Sequence, residues 1–305
     1  MKALVKDART PALREIPIPQ LNETYGVLIR VKLAGICRTD INVCKGLFES
    51  PDGLVLGHEF CGVIELLHFQ NADVSESPIH GANGLPLSVG QWVTVDPTRF
   101  GPDEKWMCGV EVDGAFAEFI RVPAHTVFPL PESIRPECAA LVEPVAASLA
   151  VLNAGLDPDT HGAIWGDNRI AQLTQRILAI HGFWDVSMIS DQTIPDRENQ
   201  FDFLIETQVD SVRLKEMIRL LKPKGTLVLK SRQREPVSLM VHELVKKDLT
   251  LKAVHYGSFE TAIELLASGR LDVSDLIGKT YPLSAFKEAF QASQAQEAQK
   301  CFLQV

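Results

Sequence analysis

Residues 162–181 read GAIWGDNRIAQLTQRILAIH, and this stretch decides the fold class. GAIWG is a short apolar run with the length of a buried strand. From Asp167 to His181 the apolar residues Ile170, Ala171, Leu173, Ile177 and Leu178 fall at helical spacing. The alternation continues downstream. DVSMIS, FDFLIET, TLVLKS and LTLKAV read as strands, and SVRLKEMIRLL and FETAIELLAS read as helices. Strands separated by helices predict a parallel sheet with right-handed crossovers.

Upstream the texture differs. LVKD, YGVLIRVKLAGIC, HEFCGVIELL, QWVTVD and AFAEFIRV are short strand-like runs punctuated by Gly, Pro, Asn and Asp. Residues 71–90 are polar and loop-like, and Thr98 to Asp113 is a second irregular stretch. Near Pro131 the chain turns Ala/Leu-rich: ECAALVEPVAASLAVLNAG reads as helix interrupted at Pro144. The tail, YPLSAFKEAFQASQAQEAQKCFLQV, reads as a helix and a last strand. Whether that strand rejoins the first half is open from the sequence.

The 305 residues suit two domains of ordinary size. Apolar residues make up 46% and charged residues 23%, which argues against disorder and coiled coil. No uninterrupted apolar run reaches eighteen residues, so no spanning helix is expected. The opening MKALVKDART has no apolar core and no small-residue cleavage site, so a cytoplasmic protein is expected. A net charge of −9 argues against general binding of nucleic acid or of anionic membranes. Six cysteines in so long a chain make no disulfide framework. Cys44, Cys61, Cys108, Cys138 and Cys301 read as buried reduced thiols. Cys37 reads differently.

Three places hold residue types that bind a catalytic zinc: GICRTD with Cys37, Thr39 and Asp40; GHEFCG with His58 and Glu59; and LVEPVAAS with Glu143. A catalytic zinc takes three ligands from Cys, His and Asp/Glu and keeps a fourth position open. That position lowers the pKa of a bound alcohol or polarises a carbonyl. Taken singly, these residues are core thiol, surface histidine and solvated carboxylate.

Their order along the chain carries a resemblance. GICRTDINVCKG, GHEFCGVIE, VGQWVTV, DGAFAEFIRVPA and LVEPVAASLAV, followed by FDFLIET, LLKPKGTLVLKS and IELLASGRLDVSDLIGKTYPLSAFKEAF, resemble the zinc-dependent medium-chain alcohol dehydrogenases. The polyol and threonine dehydrogenase-like branch is the nearest in look. The resemblance implies a mainly β, GroES-like catalytic domain over residues 1–148 and 271–305, and a Rossmann-like dinucleotide domain over 149–270. It implies Cys37, His58 and Glu143 as metal ligands, with Glu59 able to exchange onto the metal. It makes Thr39 the hydroxyl that relays the substrate proton and Asp40 the carboxylate that holds the ligand histidine. Arg38 is a candidate for cofactor pyrophosphate, its alternative being a surface ion pair.

The turn after GAIWG is expected to carry the dinucleotide fingerprint G-x-G-x-x-G. It reads Gly166, Asp167, Asn168, Arg169, Ile170, Ala171, keeping one glycine of three. Asn168 stands where backbone must approach pyrophosphate, and Asn tolerates positive φ better than most residues. Only DQTIPDRENQ separates Ser190 from Phe201, too few residues for another helix and strand. A trimmed sheet lacking its third strand is therefore expected. Asp191, or Ser190 if the register moves, is the candidate ribose reader, so NAD and NADP both stay open. The interval TRFGPDEKWMCGVEVDGAF holds Cys108 alone, so one catalytic zinc and no structural zinc are expected. His255, Tyr256 and Trp106 are further candidates for substrate or cofactor contact, and the basic run KPKGTLVLKSRQR reads as a solvated edge.

The reading is thus an oxidoreductase that moves hydride between an alcohol or carbonyl compound and NAD(P). A homodimer is left open. A relative that binds a ligand without hydride transfer is the alternative, motivated by the eroded glycine motif. A zinc lyase or epimerase is a third.

Overall fold

The computed structural model describes residues 1–305 except 23–25, 69–77, 102–105, 233–234 and 296–297. Part of the loop expected at 71–90, and short pieces of the runs around Trp106 and Arg232, lie outside the described residues. The chain divides into two compact units: Met1–Glu143 with Phe259–Val305, and Pro144–Ser258.

The first unit holds strands β1 (Lys2–Asp7), β2 (Thr10–Glu15), β3 (Val27–Gly35), β4 (Glu59–Leu67), β5 (Trp92–Val95), β6 (Phe119–Val122) and β7 (Val127–Pro129). Helix α1 (Arg38–Cys44) lies between β3 and β4, and α2 (Pro136–Ala139) and α3 (Val142–Leu149) follow β7. The second unit runs β8 (Gly162–Trp165), α4 (Arg169–Ile180), β9 (Val186–Ile189), β10 (Phe201–Glu206), α5 (Ser211–Leu220), β11 (Leu221–Leu229), α6 (Val241–Lys247) and β12 (Thr250–Ala253). The chain then returns to the first unit through α7 (Phe259–Ala267), β13 (Ile277–Pro282), α8 (Phe286–Ala295) and β14 (Lys300–Gln304). Helix α7 groups with the first unit, although the sequence reading placed it in the second.

Among the described residues the first unit carries a sheet ordered β13-β14-β3-β4-β5-β7, with β6 also on β3. The last strand does rejoin the first half: Phe302 stands opposite Gly35 in an antiparallel pair. Gly35 in turn stands opposite Glu59, where β3 and β4 pair antiparallel. This register matters for the site. Cys37 lies two residues past the end of β3, His58 lies one residue before β4, and Lys300 opens β14, so all three emerge at one end of the sheet. The core beneath is built mainly of apolar side chains, with Leu4, Ile29, Ile36, Leu56, Phe60 and Phe116 almost fully buried. Burial at roughly 25 cal/mol per Å² makes such a cluster the main stabilising term.

The second unit is a five-stranded parallel sheet ordered β12-β11-β10-β8-β9. No helix or strand occurs between β9 and β10, and β9 is an edge. The third strand is missing, as the ten-residue interval requires. Trp165, Leu204, Leu220 and Leu221 fill one side of the sheet with no exposure, and Ile164, Phe203, Ile205 and Val228 fill the other. Helix ends are closed by side chains. Asp210 Oδ1 accepts from Val212 and Arg213 N–H at 2.9 and 2.8 Å, and Lys247 Nζ donates to the carbonyls of Ile218, Arg219 and Leu221 at 2.8–2.9 Å.

One local expectation is corrected. The helical run after Pro131 breaks at Ala140 and Leu141, not at Pro144. Pro144 sits in the first turn of α3, where its missing N–H costs nothing.

Asp202 supplies a pH test of the second unit. Burial alone would raise its carboxyl, but Lys222 Nζ at 2.8 Å and the His161 N–H at 3.1 Å outweigh that and hold it below the ordinary value. A lowered carboxylate contributes stability above its unfolded pKa of about 3.9 and loses it as pH falls through the folded value. Asp202→Asn is expected to cost about 0.5–1 kcal/mol at pH 7, allowing for solvent screening. In urea unfolding series the difference should shrink as pH falls from the unfolded pKa of about 3.9 and close once pH is below the lowered folded value.

Candidate functional site

The chain leaves β3 at Gly35 and enters α1 through Cys37, whose backbone is extended (φ −99°, ψ 158°). Asp40, three residues on, folds back: its Oδ2 accepts from Cys37 N at 2.8 Å. Its Oδ1 accepts from Gly57 N at 3.2 Å and lies 3.2 Å from His58 Nδ1. Asp40 is wholly buried, and His58 and Glu59 are 1% exposed. One donor atom each from Cys37, His58 and Glu59 lies within 4.8 Å of the others.

This donor set fits a zinc ion. A thiol, an imidazole and a carboxylate are the mixed soft and hard ligands that zinc takes, and the second carboxylate, Asp40, stands against the far nitrogen of the ring. Charge agrees. Burial works to lower His58, yet Asp40 and Cys37 raise it well above the ordinary imidazole value. The pocket is rich in negative charge and favours a cation. Glu143 is buried as well, at 6% exposure, but is not one of the three converging donors. Thr39 is half-buried on α1, and Arg38 is exposed at that helix's first position. Trp106 is 43% exposed, and Cys108 is buried.

Lys300 was not among the sequence candidates. Its Nζ is wholly buried, pairs with Glu59 Oε2 and donates to Ile36 O at 3.2 Å. The signal was a charged residue opening an apolar strand, KCFLQ, 241 positions from its partner. Nothing local names that partner.

The second unit holds the remaining candidates. Gly166 ends β8 with φ +132°, and a side chain there would overlap Thr207 Oγ1, so the surviving glycine is required. Asn168 does not take positive φ: at φ −77° it caps α4. Its Oδ1 accepts from Ala171 N at 3.0 Å and its Nδ2 donates to Thr207 Oγ1 at 2.9 Å. The departure from glycine is therefore a helix cap, which fills one N–H of the helix terminus and locks the turn to β10. Asp167 is exposed, Arg169 is buried in the first turn, and Ile170 is half-buried beside it.

Asp191 lies just past β9 and is held by Arg213 of α5, Nε to Oδ1 at 3.1 Å and Nη2 to Oδ2 at 2.6 Å. This two-point contact lowers the Asp191 carboxyl and raises the guanidinium. Arg213 also binds Asp210 Oδ2 at 2.8 Å. Ser190 bonds only to its own loop, at Gln192 and Thr193. At the end of the sheet Arg232 Nη2 lies 2.8 Å from His255 Nε2, and its guanidinium lies over the Tyr256 ring.

Residues 23–132 match the alcohol dehydrogenase GroES-like domain. Over nearly its whole length the chain is similar to proteins named as alcohol, polyol and threonine dehydrogenases. It is 24% identical to L-threonine 3-dehydrogenase of Bacillus velezensis, over 99% of this chain and 98% of that one. Two solved structures share the fold. An alcohol dehydrogenase from E. coli CFT073 in complex with NADH superposes with a TM-score of 0.84 at 21% identity, covering 100% and 99% of the two chains. A cobalt- and zinc-bound thermostable alcohol dehydrogenase from Pyrobaculum aerophilum superposes with a TM-score of 0.82 at 19% identity, covering 100% and 99%. These dehydrogenases have both parts found here, the mainly β unit and the parallel-sheet unit.

Lys300 gives the site a direct energetic test. Lys300→Met leaves a buried carboxylate uncompensated, and metal-free protein is expected to lose about 3–5 kcal/mol in denaturant unfolding. Adding Glu59→Gln in the same chain should recover most of the loss.

Proposed function

We propose that this chain is a zinc-dependent oxidoreductase that moves hydride between an alcohol or carbonyl substrate and a nicotinamide dinucleotide. The observation that carries the reading is the convergence of Cys37, His58 and Glu59 within 4.8 Å at one end of a sheet. When bound, zinc supplies Lewis acidity to the substrate oxygen and the dinucleotide supplies the hydride acceptor or donor.

The chain's own residues do the rest. Cys37 and His58 hold the metal, with Glu59 or Glu143 as the exchanging carboxylate. Asp40 keeps the His58 ring in one orientation and one tautomer. Lys300 balances Glu59 whenever that carboxylate is off the metal. Thr39 is the hydroxyl placed two residues from Cys37 to carry the substrate proton outward. Gly166, Asp167, Asn168, Arg169 and Ile170 form the phosphate turn at the start of α4, where exposed N–H groups and the helix dipole favour an anion. Arg38 is the further cation proposed for pyrophosphate.

We favour NAD over NADP. Asp191 and Asp210 outnumber Arg213 in formal charge, which suits the neutral ribose diol better than a phosphorylated ribose. One zinc per chain is proposed. Cys108 is tied to Gly57 O and Asp113 O, and burial holds its thiol well above the ordinary value, which speaks against a second, thiolate-rich site. Six cysteines with no disulfide among them suit a reducing compartment such as the cytoplasm, and among the described residues no helix is long and apolar enough to cross a membrane.

Metal analysis should return about one zinc per chain. Fluorescence titration should show saturable NADH binding, tighter than that of NADPH. Cys37→Ser is expected to lose the zinc and at least about 100-fold in turnover, while NADH still binds. A Cys37→Ser protein with full zinc and full activity would refute the metal reading, and absence of binding for both dinucleotides would favour a ligand-binding relative instead.

We also propose a homodimer formed through the second unit. Among the described residues β12 is a sheet edge, and α6, which precedes it, has no buried residue while Val241 and Val245 are 63% and 74% exposed. A second copy pairing β12 antiparallel about a two-fold axis covers both features. Light scattering should give twice the 33.7 kDa chain mass, and Val245→Lys should shift it toward monomer. A wild-type monomer at micromolar concentration would exclude it.

A further inference from the structure

Gly57 directly precedes the ligand His58, and its peptide is gripped on both sides. Its N–H goes to Asp40 Oδ1. Its carbonyl accepts from Ala115 N at 2.9 Å and from Cys108 Sγ at 3.5 Å. The two preceding residues are gripped by the same segment. Leu56 O accepts from Phe116 N at 2.7 Å, Val55 O accepts from Gly114 N at 2.7 Å, and Val55 N donates to Asp113 Oδ1 at 3.0 Å.

The approach leaves no room for side chains. A Cβ at Gly114 would overlap Gly57 O and come within 2.6 Å of Leu56 O, and one at Gly109 would lie 2.7 Å from Gly57 O. Gly57 itself has φ +96°, with the Phe116 ring against it. The segment is closed on itself, Gly109 N reaching Val112 O at 2.7 Å and Glu111 Oε2 accepting from Met107 N at 2.8 Å, and it is tied back to the chain after β5 by Cys108 N to Pro97 O at 2.9 Å. Cys108 is wholly buried, and burial raises its thiol well above the ordinary value.

We infer that Met107–Phe116 is a brace that positions His58, with Asp113, Gly114 and Cys108 as its positioning residues, and that this brace sets the metal affinity of the site. None of the three is among the converging metal donors. Cys108 holds Gly57 O directly, while Asp113 and Gly114 hold Val55 two residues upstream, and a shift of this stretch moves both the His58 backbone and the Gly57 N–H that Asp40 receives. Metal–ligand distances in zinc sites fall within about 0.2 Å of standard values, and loss of the contacts that orient a ligand costs affinity. The inference rests on the zinc reading proposed above.

The test uses the full chain, stripped of metal with a chelator and titrated with cobalt(II), whose absorption bands report the geometry around a thiolate and an imidazole. Asp113→Ala removes the acceptor for Val55 N–H. It is expected to weaken cobalt and zinc binding about ten-fold in chelator competition and to shift the cobalt bands. Asp113→Asn keeps an oxygen acceptor and should restore affinity to within about three-fold of wild type, a rescue that loss of general packing would not produce. Gly114→Ala should weaken binding more than Asp113→Ala. If Asp113→Ala or Gly114→Ala does not fold, Cys108→Ala, which removes one donor to Gly57 O, decides the matter: it should shift the cobalt bands. Wild-type affinity with unchanged bands in the folded variants, or an Asn variant no better than Ala, overturns the inference. Wild-type protein that takes up no cobalt or zinc overturns the zinc reading and this inference together.

Discussion

Asp40 spends one buried carboxylate on three partners that come from two separate stretches of chain. Its Oδ2 closes the first turn of α1 on Cys37, and its Oδ1 meets Gly57 N and His58 Nδ1. An ionised group without solvent is costly unless its lone pairs are filled. Here filling them joins the loop that carries the thiol to the loop that carries the imidazole. The register of β3 against β4 delivers both loops to the same end of the sheet, and Asp40 then sets their spacing. The brace from Met107 to Phe116 holds the other side of Gly57, so the imidazole is fixed by backbone contacts as much as by its own environment.

The same economy runs through the second unit. Loss of a strand leaves β9 as an edge and shortens the path to β10, yet the sheet keeps its apolar fillings on both faces. The eroded glycine motif is not a vacant one. Asn168 exchanges the freedom of glycine for a cap bond to Ala171 and a tie to Thr207, and Gly166 survives because Thr207 Oγ1 leaves no space for a Cβ. Arg213 does for Asp191 what Lys300 does for Glu59: each holds a carboxylate in place with an opposite charge.

Legibility in the sequence followed the range of the forces. Strand and helix periodicities around GAIWG and FDFLIET were readable because period is local, and the missing strand was readable because ten residues cannot span two elements. The break before Glu143 was misplaced, since Pro144 looks like an interruption until its place in the first helical turn is known. The role of Asn168 was misread for a similar reason, because a cap and a left-handed turn draw on the same residue types. Asp40 was legible only through the family resemblance carried by GICRTD, not from its spacing to Cys37. Lys300, Arg213 and Asp113 were not, because each pairs with a residue that only strand register or sheet order brings near.

What the sequence alone determined is therefore the inventory: an α/β chain in two parts, a thiol, an imidazole and carboxylates of zinc-binding type, one surviving glycine at a strand–helix turn, and a shortened sheet. What only the tertiary structure decided is which of those groups meet. Glu59 stands with Cys37 and His58 while Glu143 does not complete that trio, and a lysine near the end of the chain balances Glu59. The reason is that composition and period act over a few residues, whereas a binding site depends on distances of a few ångströms between residues far apart in sequence, and those are set by register and packing.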